Sequence, residues 1–179
     1  DGLSTSMPSS CAASATGEAL LSAIYAEFIG GYPKFHKMDP LSRLGFVASE
    51  LLLAAVRRKG HHLDENTAVV LVGHSGSQAA DTRFQRTIAD PDNYYPSPAV
   101  FVYTLPNIAT GEIAIRNGFH GETAYFALPA FEPDRVRRLV CTAGTDPETT
   151  ALVGGWIECP SADRFEAHLH CYLPLAAAP

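Results

Sequence analysis

A chain of 179 residues, 46% of them hydrophobic, is long enough to bury a substantial core within one domain, and a single domain over residues 1–179 is expected. Its net charge of −6 argues against a nucleic-acid surface, which needs a basic stripe to neutralise phosphates. No run approaches the about 18 apolar residues that a membrane span requires.

The predicted elements alternate. Residues 1–17 have small side chains but lack the basic start and apolar centre of a secretory leader. Residues 17–28 place Leu20, Leu21, Ile24, Tyr25 and Phe28 at helical intervals, and Gly30, Gly31 and Pro33 end the pattern. A second helix is predicted over 39–59, with Asp39 as N-cap and Pro40 at the first helical position. Leu44, Val47, Ala48, Leu51, Leu52 and Ala55 form its apolar face. Residues 67–73 form a continuous β-rich run suited to a fully buried strand. A small-residue loop over 75–81 and a short helix over 82–88 follow. A polar connection over 90–96 then leads to a helix over 100–108, which Pro106 kinks or breaks.

A strand is read over 123–128, a helix over 133–141 and strands over 151–158 and 165–173. Strands alternating with helices imply an α/β sheet with parallel strands inside. Cys11, Cys141, Cys159 and Cys171 show no tight pairing pattern, so buried free thiols in a reducing, cytoplasmic compartment are expected.

The most specific segment runs from Ser97 to Ala130. Ser97-Pro98 leads into Pro106-Asn107 with Gly111 four residues on, then a G-x-x-G turn of Gly118 and Gly121, then the strand over 123–128. This order resembles the approach to the active site of the β-ketoacyl synthases of the thiolase-like superfamily. The resemblance extends more loosely over residues 41–158, where Gly154-Gly155 is similar to the Gly-Gly of the strand that follows the nucleophile helix. It implies a thiolase-like α/β/α half-domain with a mixed five-stranded sheet, corresponding to the N-terminal half of a ketosynthase. The two catalytic histidines of the second half are then not expected in this chain.

By the family's spacing the nucleophilic cysteine would fall at Ala130, and no Cys or Ser lies anywhere between residues 123 and 140. Condensation needs a thiolate to accept the acyl group. The resemblance therefore implies a chain-length-factor-like subunit, not an enzyme in its own right. It would pair with a full-length ketosynthase as a heterodimer and meet the acyl carrier protein through that partner, in a fatty-acid, polyketide or polyene system. Chain-length factors often carry Gln where this chain has Ala130. The dimer contact would involve Thr123, Ala124, Tyr125 and Phe126, because the ketosynthase dimer forms through this strand. The helix before it would wall the partner's acyl tunnel with Val100, Phe101, Tyr103, Thr104 and Leu105, and the Asn107 side chain would satisfy backbone groups freed at the Pro106 kink.

Other readings attach to other residues. A homodimeric module that holds an acyl chain or a carrier without catalysis would instead run as a self-paired dimer with no need of a ketosynthase. Gly73-His74-Ser75-Gly76-Ser77 is similar to the G-x-S-x-G elbow of α/β-hydrolases, with Asp134 or Asp146 and His168 or His170 as partners for Ser75, but Ser77 replaces the last glycine. Cys159, His168, His170 and Cys171 gather late in the chain, and His61 and His62 sit near Asp64. His168 and His170 would share one face of a strand and Cys171 the other, so no metal or other cofactor is assigned. Gly30-Gly31 and Gly154-Gly155 are too sparse for a phosphate loop. Arg135, Arg137 and Arg138 form the densest basic cluster and read as a solvated helix face.

Overall fold

The computed structural model describes residues 16–92, 94–161 and 163–173. Cys11 lies outside them. Four strands form one sheet in the order β2-β1-β3-β4, where β1 is Thr67–Gly73, β2 Thr123–Ala127, β3 Ala151–Ser161 and β4 Arg164–Tyr172. β1 runs parallel to both β2 and β3, and β3 pairs antiparallel with β4 through a tight hairpin. The expected sheet had five strands. Among the described residues there are four, because only four β-rich runs lie between the helices.

Alternation along the strands divides the interior into two layers. Val69 and Leu71 of β1, Val153 and Ile157 of β3, and Leu169 and Cys171 of β4 enter one core. Ala68, Val70 and Val72 of β1, with Leu152 and Trp156 of β3, enter the other. Helices α1 (Gly17–Ile24), α2 (Pro40–Arg58) and α5 (Ile108–Asn117) cover the first face, and α6 (Pro133–Thr142) covers the second through Val136 and Val140. The result is an α/β/α arrangement. No described helix is long and apolar enough to cross a membrane.

α2 begins as its sequence implies. The Asp39 carboxylate accepts hydrogen bonds from the backbone N–H groups of Leu41 and Ser42 (3.3 and 3.1 Å), and Pro40 occupies the first turn. Its burial is wider than one apolar face, since Phe46 and Leu53 are as inaccessible as Leu52 and Val56. The reason is that α1, a following π-helical turn at Tyr25–Ile29 and a 3-10 turn at Pro33–Lys37 close over its outer side. There Tyr25 stacks on Phe35 (3.9 Å between ring centres) and Tyr32 on Phe46 (5.1 Å). Buried Glu50 of α2 takes hydrogen bonds from Arg116 Nε (3.4 Å) and Asn117 Nδ2 (2.9 Å), which ties α2 to α5.

The G-x-x-G turn has a separate cause at each glycine. Gly118 ends α5 in the left-handed conformation (φ 69°), and a side chain at Gly121 would bring Cβ within 2.6 Å of the Thr67 carbonyl oxygen. This close approach starts the register that pairs Val69 with Thr123.

Candidate functional site at the free edge of the sheet

The predicted helix over 100–108 is broken in two. α4 (Pro98–Phe101) passes into a 3-10 turn at Val102–Thr104, Leu105 is extended (φ −97°, ψ 109°), and α5 restarts at Ile108. Proline at 106 has no N–H to continue the ladder and pushes the preceding residue out of the helical region. The Asn107 side chain is exposed and makes no capping hydrogen bond. The buried Thr110 hydroxyl instead donates to the Asn107 carbonyl oxygen (2.7 Å), correcting the role expected for Asn107.

The break sorts the five expected tunnel residues into groups. Val100 and Tyr103 line a cleft of about 630 Å³ with Met38, Arg43, Ala80 and Val102, between the start of α2 and helix α3 (Gln78–Arg86). Burial, then the Glu112 and Asp39 carboxylates, hold the Tyr103 phenol above its ordinary range, and Arg43 opposes them. Phe101 and Leu105 face outward and are 52% and 49% exposed, Phe101 resting against Phe84 (5.2 Å). The Thr104 hydroxyl donates to the Phe101 carbonyl oxygen (2.7 Å) and so closes the 3-10 turn. α3 begins earlier than the expected residue 82, because Gln78 and the two alanines after it carry the helix back to the loop.

β2 has a partner on one side only among the described residues, β1, and its outer edge is open. Thr123 is exposed, Ala124 and Phe126 pack toward the α6 core, and Tyr125 packs toward the α2 core. The strand ends at Ala127 and the chain bends through Pro129 and exposed Ala130 into α6, so residue 130 lies between a strand end and a helix start. The methyl of Ala130 offers no nucleophile there.

Residues 2–126 match the family model described as Beta-ketoacyl synthase, N-terminal domain. The chain belongs to this family. The match ends before Ala130. A solved structure described as "The ishigamide ketosynthase/chain length factor" superposes with a TM-score of 0.64 at 26% identity, over 78% of this chain and 39% of that one. The chain thus spans about two fifths of that neighbour. "Ketosynthase (ApeO) in Complex with its Chain Length Factor (ApeC) from Xenorhabdus doucetiae" superposes with a TM-score of 0.55 at 15% identity, over 86% and 70% of the two chains, and shows likeness of fold. No curated protein matches.

Within this ketosynthase-like frame the Ser75 loop has a different chemistry from a hydrolase elbow. The Ser75 hydroxyl donates to Glu158 of β3, and the same carboxylate accepts from the backbone N–H groups of His74 (2.6 Å) and Ser75 (3.1 Å). The His74 ring contacts the Leu128 carbonyl oxygen through Nδ1 (3.1 Å). His168 and His170 stand on β4, beyond β3 from this loop, so neither expected histidine serves Ser75. Beside it the Tyr125 hydroxyl is buried without a hydrogen-bond partner of good geometry. Burial first, and then Glu158, raise its phenol, against the Gly76 amide. Glu158 carried no recognisable signal in the sequence, since it lies 83 residues from the serine it holds.

The late cysteines and histidines separate as strand alternation requires. Cys159 and Cys171 are buried on the α2 side, where burial pushes their thiols up to about 12 and about 11, while His168 pairs with Trp156 across the hairpin and stacks on Phe131 on the α6 side. Arg135, Arg137 and Arg138 are all exposed on α6, and Arg135 lies 3.5 Å from Glu132.

Proposed function

We propose that this chain is a non-catalytic, chain-length-factor-like subunit that pairs with an active β-ketoacyl-acyl-carrier-protein synthase and shapes its acyl tunnel in type II fatty-acid, polyketide or polyene biosynthesis. The observations that carry the reading are the open edge of β2 and the exposed apolar side chains of Phe101, Val102 and Leu105. An unpaired strand edge invites addition of another strand. An edge of five residues is small against the roughly 1,200–2,000 Å² of a stable interface, so the α4 surface supplies the rest. Ala130 in place of a thiol supports a subunit that leaves condensation to its partner. The two neighbours' descriptions, which pair ketosynthases with chain-length factors, support the same role.

In this reading Val100 and Tyr103 limit acyl length by steric exclusion, and the carrier protein docks through the ketosynthase in the cytoplasm. The test is co-expression with a full-length ketosynthase from the same genome, followed by size-exclusion chromatography with mass determination. A one-to-one complex is expected, and Phe101→Asp with Leu105→Asp is expected to weaken it at least about tenfold by removing two apolar contacts from the centre of the patch. A homodimer that ignores the ketosynthase would refute the reading and favour a self-paired acyl-binding module.

A further inference from the structure

We infer that the groove between α6 and β4 is a binding site for a small organic anion, a carboxylate or phosphate monoester carried on an apolar body. α6 packs over β1 and β3, so β4 is left as the far wall of a groove of about 540 Å³, within the range of small-molecule sites. One wall carries Phe131 and Arg137, and the other carries His168, His170 and Tyr172. No carboxylate lies within ion-pairing distance of the Arg137 guanidinium among the described residues. Its planar fork therefore remains available to a ligand oxyanion.

Among the described residues two acids bear on the groove. Glu166 accepts the Trp156 indole N–H (2.8 Å) and sits 3.9 Å from His168 Nε2. Asp134, in the first turn of α6, also lines the groove and is favoured there by the helix dipole, and it forms no ion pair with Arg137. Gly155 contributes only backbone to the floor, where β3 and β4 are so close that a Cβ would collide with the His168 carbonyl oxygen. Phe131 is stacked on His168 at one end of the groove (4.8 Å between ring centres), which leaves the Tyr172 ring to meet an apolar body and the Arg137 guanidinium to meet its charged end. The groove is on the α6 face of the sheet, on the opposite edge from β2, so this inference stands apart from the pairing proposed above.

The single tryptophan, Trp156, has its ring centre 5.4 Å from that of Phe131 and reports on the groove. The purified full chain is titrated with phenyl phosphate, benzoate and inorganic phosphate, following Trp156 fluorescence and ligand-observed NMR. Saturable millimolar binding of phenyl phosphate or benzoate is expected. It should weaken about tenfold or more in Arg137→Gln and stay unchanged in Arg135→Gln, which removes the same charge outside the groove. No saturable response to either aromatic probe up to about 10 mM in both readouts overturns the inference. Equal losses in the two arginine variants would also overturn it by indicating diffuse charge attraction, and so would inorganic phosphate binding as tightly as phenyl phosphate.

Discussion

Replacing Glu158 tests whether a single carboxylate holds the loop beside the free edge of the sheet. Three donors converge on it from the turn after β1: two backbone N–H groups and the Ser75 hydroxyl. Hydrogen bonds to a charged acceptor contribute about 1.5–3 kcal/mol each at the upper end, but the His74 amide is solvent-exposed and water replaces part of its loss. Glu158→Ala should therefore cost about 2–4 kcal/mol, which for a chain of this length lowers Tm by roughly 5–15 °C. Glu158→Gln keeps a carbonyl acceptor in place and should cost about 1 kcal/mol. Ser75→Ala removes only the hydroxyl, and a double-mutant cycle with Glu158→Ala should return a coupling of about 1 kcal/mol. Urea and thermal denaturation of the wild type and the four variants supply these values. A Glu158→Ala variant within about 0.5 kcal/mol of wild type would refute the reasoning, since that is the range of an unconnected surface change. The same geometry predicts that Ser75 does not label with a fluorophosphonate, because its hydroxyl is bound to a carboxylate with no imidazole to take its proton.

At Asp39, burial raises the carboxyl above its ordinary value and Ser42 opposes the rise. Stability from this group is then greatest below the unfolded value of about 3.9 and is lost as pH rises through the folded one. Asp39→Asn keeps the cap and should match or exceed wild type at neutral pH with the gap closing toward acid, whereas Asp39→Ala should lose about 1 kcal/mol, both read from urea midpoints between about pH 4 and pH 7. Burial raises the thiols of Cys159 and Cys171, so in native alkylation mapped by mass spectrometry half-buried Cys141 should react before either. Gly121→Ala forces Cβ against the Thr67 carbonyl and should destabilise by about 1–3 kcal/mol in chemical denaturation.

Much of the fold was legible because local rules fixed it. The Asp39-Pro40 start of α2, the buried run of β1, the helix break at Pro106 and the G-x-x-G turn follow from capping, β-branching, ring closure and glycine geometry within a few residues of chain. The ordered motif from Ser97 to Gly121 gave the family, and the order of strands and helices gave the α/β class. The role expected for Asn107 fails because its side chain turns out to solvent, and the buried Thr110 hydroxyl bonds the Asn107 carbonyl oxygen instead. Only the tertiary structure separated Val100 and Tyr103 in a cleft from Phe101 and Leu105 at the surface, since the cleft exists only where α3 and the start of α2 come together against α4 and the turn after it. It alone joined Ser75 to Glu158, exposed the outer edge of β2 and opened the groove beside β4. Each of these depends on which strands lie side by side, and strand order is set by long-range packing of two cores that no local pattern encodes.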